Sequence, residues 1–152
     1  MSFDRIIQQY VDEVLEHNKN HKSCHIAILL QGRKVISVGF NQMDRQCFRG
    51  ESIRSLHAEI DCLRKCRPIT DIYKRNYKLL IVKISKDKRN DKQIYTDSRP
   101  CDCCTKFIIG LKIKRVYCSN ENGQIEKLNL KTYEPYVIPS YSTVYKKNQE
   151  KN

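Results

Sequence analysis

LLIVKI at residues 79–84 is followed along the chain by CDCCTKFIIG at 101–110 and IKRVYC at 113–118. The first and last stretches are short and mostly apolar runs, which are typical of buried β-strands. The middle stretch places Phe107 and Ile108 on one face and Gly110 near its end, which predicts a helix. A strand, a helix and a second strand in this order indicate a sheet that is covered by helices.

The rest of the chain continues this alternation of helices and strands. Residues 4–17 carry apolar side chains at helical spacing, and Gln31-Gly32-Arg33 reads as the turn of a hairpin. The sequence predicts a further helix at 57–66, strands at 24–30, 35–40, 94–96 and 125–130, and a long polar loop at 41–56. We therefore expect an α/β fold, a three-layer α-β-α sandwich around a mixed, mostly parallel sheet of about five strands.

Length and composition limit the class of protein. The chain has 152 residues, which predicts a single domain over 1–145 followed by a polar tail at 146–152. No apolar run approaches the roughly 20 residues of a membrane span, and the first residues do not form a signal peptide. We therefore expect a cytoplasmic protein with no membrane partner. In that reducing compartment, the eight cysteines are not expected to form a disulfide framework, and clustered thiols more often bind metal or do chemistry.

The charge of the chain is strongly positive, with a formal net charge of +12 at pH 7. Such an excess attracts anionic partners, among which nucleic acid and nucleotide phosphates are the candidates. The Lys and Arg residues are spread over many segments, and this spread is also typical of an ordinary solvated surface. The charge is therefore compatible with nucleic acid as a partner, but it does not favour nucleic acid over an ordinary solvated surface.

Two short motifs carry residues that bind metals. His57-Ala58-Glu59 stands at the start of one predicted helix, and Pro100-Cys101-Asp102-Cys103-Cys104 stands at the start of the next. Cys101 and Cys104 are three residues apart, so they share one helical face. Two thiolates and one imidazole make three ligands of a tetrahedral zinc site, and an open fourth position suits catalysis. Glu59 is two residues from His57, which favours a place beside the metal rather than on it.

These motifs resemble those of the cytidine and deoxycytidylate deaminase superfamily, whose zinc enzymes share H-x-E followed by P-C-x-x-C. The resemblance implies a cytidine-deaminase-like fold, with His57, Cys101 and Cys104 as ligands of Zn²⁺ and Glu59 as the general acid/base. It implies a zinc-dependent hydrolase that releases ammonia from C4 of a cytosine or C6 of an adenine.

A third match extends the resemblance to substrate contacts, and the resemblance as a whole covers roughly residues 24–119. Gly39-Phe40-Asn41 ends the second predicted strand, where members of the superfamily often have an Asn. The resemblance implies that Asn41 contacts the sugar or the base. It also implies that Ala58 contacts the base through its backbone.

Four arginines are candidates for contacts to phosphate or nucleic acid. Arg45, Arg49 and Arg54 share the loop before His57, and Arg99 precedes the second motif. Arg side chains suit phosphate because the guanidinium donates two parallel hydrogen bonds. A solvated loop explains the same residues and is the slightly favoured interpretation. Tyr95 and Phe48 could stack on a base, although packing also explains them.

Three functions are compatible with these residues. The leading hypothesis is deamination of cytosine in a free nucleotide or nucleoside, with dCMP or CMP favoured because the loop before His57 is basic. The alternative is a deaminase that edits cytosine or adenine in single-stranded DNA or tRNA, which the net charge supports. The third is a non-enzymatic module with a structural zinc, whose fourth ligand would be Cys103 or Cys62. A homo-oligomer is expected, since proteins of this fold commonly self-associate.

Overall fold

The computed structural model describes residues 3–17, 23–41, 46–48, 51–53, 56–66, 76–86, 89 and 92–137. The helices are α1 (Phe3–His17), α2 (Ala58–Arg64) and α3 (Asp102–Gly110). The strands are β1 (Ser23–Gln31), β2 (Lys34–Phe40), β3 (Gln46–Phe48), β4 (Glu51–Ile53), β5 (Tyr77–Lys86), β6 (Gln93–Thr96), β7 (Arg115–Ser119) and β8 (Ile125–Leu128). None of the helices in these ranges is long and apolar enough to cross a membrane. The predicted boundary between residues 145 and 146 lies outside them and stays a prediction.

The main sheet has the strand order β2-β1-β5-β7-β8, and β6 also pairs with β5. The mixed α/β sheet expected from the sequence is confirmed, but parallel strands do not predominate in the described part of the chain. There, only β5 and β7 run parallel, and the other pairs in this sheet are antiparallel. For the pairs β1–β2 and β7–β8, the reason is a short turn, because a short connection returns the chain antiparallel. A helix lies in the connection from β5 to β7, and another lies in the connection from β2 to β5, whose strands are separated in the sheet by β1.

Helices cover both faces of the main sheet, which confirms the three layers. Alternate residues of the strands point to opposite faces. On one face, α1 packs against the sheet through Ile7, Val11 and Val14. On the other face, α2 and α3 pack through the buried side chains of Ile60, Leu63, Cys104, Phe107 and Ile108.

The segment predicted as a loop at 41–56 contains a small second sheet. β3 and β4 pair antiparallel, with Cys47 opposite Ser52. The prediction missed this hairpin because each strand has only three residues, too few for an alternation of apolar and polar residues to be visible.

Buried hydroxyl groups fix the segment between β6 and α3. The Ser98 hydroxyl donates to the Ile81 carbonyl at 2.7 Å and accepts from the Ser119 backbone N–H at 3.0 Å. The Ser119 hydroxyl in turn donates to the Thr96 carbonyl at 2.6 Å. Both serines are buried. These bonds tie the segment before Pro100 to β5 and β7, and so they position the second metal-binding motif.

Ser98→Ala is expected to lower the free energy of unfolding by about 1–3 kcal/mol, because it leaves buried backbone groups without their partner. Urea denaturation of the purified protein measures this loss. Ser85→Ala is the matched control, since that half-buried hydroxyl contacts only the Thr96 hydroxyl among the described residues, at 3.4 Å. Equal stability of the two variants would contradict the role given to Ser98.

Candidate metal centre

The N-terminal ends of α2 and α3 carry the two metal-binding motifs. His57 is the residue before α2 and Cys101 the residue before α3. The Cys101 thiol sulfur accepts the backbone N–H of Cys104 at 3.5 Å, so it caps its own helix. The Thr105 hydroxyl and backbone N–H both donate to the Cys101 carbonyl, at 2.8 and 2.9 Å. The first turn of α3 therefore holds both sulfurs in one orientation.

Three side chains from these ends converge. The ligand atoms of His57, Cys101 and Cys104 all lie within 4.8 Å of one another. Nδ1 of His57 is 3.3 Å from Sγ of Cys104 and 3.5 Å from Sγ of Cys101. In a tetrahedral zinc site, bond lengths of about 2.1 Å to nitrogen and 2.3 Å to sulfur separate these two kinds of atom by roughly 3.6 Å. The three residues are therefore positioned to bind a metal ion, and the site fits Zn²⁺.

The protonation of the three groups is strongly perturbed. The hydrogen bond with Cys104 lowers the pKa of Cys101 to about 5, against the effect of burial and with help from His57. Burial raises the pKa of Cys104 well above its ordinary value. Burial also acts to lower the pKa of His57, but the hydrogen bond with Cys101 and the charge of Glu59 outweigh it, and the pKa is raised. Negative charge is therefore favoured on the Cys101 sulfur, whereas Cys104 and His57 must each release a proton to bind a cation.

No fourth ligand atom joins this group within the described part of the chain. Cys103 is buried among the core side chains under α3, and burial raises the pKa of its thiol to about 12. The Cys62 thiol donates to the Ser37 carbonyl at 3.5 Å and belongs to the core. The described residues therefore do not bring together the four protein ligands that a closed structural zinc site needs.

Glu59 lies in the first turn of α2 and is only 4% exposed. It does not belong to the three-residue group. Its charge nevertheless acts on both His57 and Cys104. A buried carboxylate next to a metal site is suited to transfer protons, because it sits in reach of the reacting groups and away from bulk water.

Asn41 follows directly after β2 and is held by β1. Its side-chain oxygen accepts the His25 backbone N–H at 2.9 Å, and its own backbone N–H donates to the His25 carbonyl at 3.4 Å. This pair of contacts fixes the orientation of the Asn41 amide. Ala58 is fully buried at the start of α2. Contact of either residue with a substrate stays a prediction.

Two residues hold α2 tightly against β2. A Cβ atom on Gly39 would lie 2.2 Å from the Cys62 backbone nitrogen and 2.4 Å from the Ala58 carbonyl oxygen. The buried Asp61 carboxylate accepts the Phe40 backbone N–H at 3.0 Å. Arg64 and Lys65 form ion pairs with the same carboxylate, each at 3.0 Å. These contacts set the distance between the end of β2 and Glu59, and the sequence analysis did not identify them.

The four arginines separate into two groups. Arg45, Arg49 and Arg54 lie outside the described residues, so their phosphate contacts stay predictions. Arg99 is exposed and pairs with Asp97 through two bonds, Nε to Oδ1 at 2.9 Å and a terminal nitrogen to Oδ2 at 2.8 Å. This pair lowers the pKa of Asp97 and raises the pKa of Arg99. Asp97 therefore holds the Arg99 guanidinium next to the second motif.

A segment near the C-terminus also reaches the site, and the sequence analysis missed it. The Tyr133 hydroxyl donates to the Pro100 carbonyl at 2.5 Å. The Tyr136 carbonyl accepts the backbone N–H of Asp102 at 2.7 Å. The stretch after Leu130 has no helical or strand periodicity, so its only signal in the sequence is the pair of tyrosines.

Comparison with known protein families identifies the class of protein. The family model described as the cytidine and deoxycytidylate deaminase zinc-binding region matches residues 3–120. This chain therefore belongs to that family and is a zinc-dependent deaminase, a hydrolase.

Two solved structures similar to this chain are of dCMP deaminase from the cyanophage S-TIM5. The apo form is 20% identical, with 80% of this chain and 86% of that chain covered and a TM-score of 0.46. The form in complex with dCMP and dUMP is 19% identical, with 97% and 95% covered and a TM-score of 0.47. The search of curated proteins found no match.

Proposed function

We propose that this protein deaminates cytosine to uracil in a free pyrimidine nucleotide, with dCMP or CMP favoured over the nucleoside. The observation that carries the proposal is the group of His57, Cys101 and Cys104, with three ligand atoms and a buried carboxylate beside them. These three residues would hold Zn²⁺. When bound, the ion supplies a Lewis acid and a water that is acidic enough to attack near neutral pH.

The reaction consumes one water and releases one ammonia. A C–O bond forms at C4 of the base, and the bond from C4 to the amino nitrogen breaks. Glu59 takes a proton from the attacking water and delivers it to nitrogen, so the amino group leaves as ammonia. Burial of Glu59 and of both cysteines keeps bulk water away from this transfer.

Asn41 and Ala58 would contact the substrate. The bonds to His25 hold the Asn41 amide in one orientation, and this amide would recognise the sugar or the base. The backbone of Ala58, between His57 and Glu59, would contact the base. Arg99 would contact the phosphate, with Arg45, Arg49 and Arg54 as further candidates. Because Asp97 already neutralises Arg99 in part, we expect a modest contribution from that residue.

The alternative is a deaminase of single-stranded DNA or tRNA. Its support is the net charge of +12, since polyanions are attracted to such a chain. The non-enzymatic alternative loses its support, because the family is one of deaminases and no fourth protein ligand is found in the described residues. Self-association stays a prediction that light scattering of the purified protein would test.

Zinc-loaded protein is expected to convert dCMP or CMP to the uracil nucleotide. Mass spectrometry of the reaction mixture measures this conversion. The panel includes cytidine, deoxycytidine, adenosine, and oligonucleotides that contain cytosine or adenine. Cys104→Ala is the control, because it should lose both zinc and turnover. Turnover of oligonucleotides alone would contradict the proposal and support the alternative. Absence of turnover across the panel would contradict both.

A further inference from the structure

Residues Leu130–Val137, here called the C-terminal segment, cross the beginning of α3. Two hydrogen bonds attach the segment on either side of Cys101: Tyr133 donates to the Pro100 carbonyl at 2.5 Å, and the Tyr136 carbonyl accepts from Asp102 at 2.7 Å. One of these partners immediately precedes Cys101 and the other immediately follows it. The position of the segment relative to the metal-binding motif is therefore fixed by contacts to that motif itself.

Tyr136 lies one hydrogen bond from Asp102, the residue after Cys101, and keeps an accessible surface. The charges of Cys101, Glu59 and Cys104 all act on its phenol. The residue is 54% exposed, so part of its surface is accessible. The bond that holds this residue in place uses its backbone carbonyl, and the fold therefore leaves the ring available.

The aromatic residues proposed from the sequence do not have this position. Tyr95 packs with the core on the α1 face of the sheet, opposite to the face of α2 and α3. The side chain of Phe48 is outside the described part of the structure. The Tyr133 hydroxyl donates a hydrogen bond to the Pro100 carbonyl. Among the described aromatic residues, Tyr136 therefore combines a contact to the second metal-binding motif with an accessible surface.

We propose that Tyr136 is a substrate-contact residue whose ring forms one wall of the pocket beside the metal centre and packs against the base. This inference rests on the proposed function, since it requires a planar base in the site. Aromatic faces stack on any base, so the contact would strengthen binding without choosing cytosine over adenine. Asn41 and the backbone of Ala58 would distinguish cytosine from adenine.

The test compares Tyr136→Ala, Tyr136→Leu and Tyr136→Phe with wild-type protein in steady-state deamination of the nucleotide that the wild type turns over best. Tyr136→Ala is expected to lower kcat/KM about five- to a hundredfold, mainly through KM, because stacking acts on the bound base before and during the reaction. Tyr136→Phe is expected to stay within about threefold of wild type, because it keeps the ring. Tyr136→Leu is expected to resemble Tyr136→Ala, since bulk without a ring does not stack.

Val137→Ala is the matched control, because its side chain is 60% exposed on the same segment and should leave kcat/KM unchanged. Zinc content and melting temperature are measured for every variant, and a structural role for Tyr136 would change these values first. Wild-type kcat/KM in Tyr136→Ala would overturn this inference alone. Loss of activity in Tyr136→Phe equal to that in Tyr136→Ala would also overturn it, since the ring would not be the cause. A wild-type protein without activity on any cytosine nucleotide would instead contradict the proposed function, and with it this contact.

Discussion

Glu59→Gln is expected to reduce deamination by about a hundredfold to ten-thousandfold, the usual range for loss of a general acid/base. The amide keeps the size of the side chain but cannot take a proton from water. Since Glu59 does not belong to the three-residue group, zinc content should stay at the wild-type level. Turnover in the deamination assay and metal analysis of the same sample measure the two quantities together.

Glu126→Gln is the control for this substitution. Glu126 is an exposed carboxylate on β8 that accepts a hydrogen bond from the Asn120 side chain at 3.3 Å, and its removal should not change turnover. A Glu59→Gln variant that binds zinc and deaminates at the wild-type rate would show that another group transfers the proton. A variant that loses zinc as well would show that Glu59 contributes to metal binding.

Gly39→Ala is expected to cost at least 1–3 kcal/mol of stability, the usual range for overpacking a core. The added Cβ would lie 2.2 Å from the Cys62 nitrogen, 2.4 Å from the Ala58 oxygen and 2.7 Å from the Cys62 Cα. All three are backbone atoms of α2, so no side chain can move aside and the helix itself must shift. Because His57 and Glu59 belong to the start of that helix, zinc affinity and turnover should fall together with stability.

Gly110→Ala provides the matched comparison. Gly110 is the last residue of α3, and nothing lies within 4 Å of a Cβ placed there. Ala is a better helix former than Gly, so this variant should be as stable as wild type or more stable by up to about 1 kcal/mol. Urea denaturation and zinc titration of both variants test the comparison. A Gly39→Ala protein with wild-type stability and zinc affinity would show that the packing of α2 on β2 is not a constraint on the site.

Local sequence patterns predicted the helices and most strands well. The helix expected at 4–17 is observed at Phe3–His17, and the helix expected at 101–110 is observed at Asp102–Gly110. Both have enough residues for the apolar period to be read along the chain. The hairpin of β3 and β4 was missed because its strands are too short to show a period.

The relative direction of the strands was harder to predict from the sequence. An alternation of strands and helices suggested a mostly parallel sheet, but the helices before β1 and after β4 do not link parallel neighbours. β1 lies antiparallel between β2 and β5, although a long stretch of chain separates it from β5. Pairing of this kind depends on which apolar faces meet in the folded protein, and no local pattern reports it.

The sequence by itself determined the chemistry of this protein. His57, Glu59, Cys101 and Cys104 have spacings that place two thiols on one helical face and a carboxylate close to an imidazole, and such spacings are local properties of the chain. The tertiary structure alone decided what surrounds these residues. Three features of these surroundings join residues that are 19 or more positions apart, as the numbering of each pair shows. They are the contact of Gly39 with α2, the bond from Phe40 to Asp61 and the place of Tyr136 beside Cys101. Contacts over such separations form only when the core packs, so they follow from the shape of the whole fold.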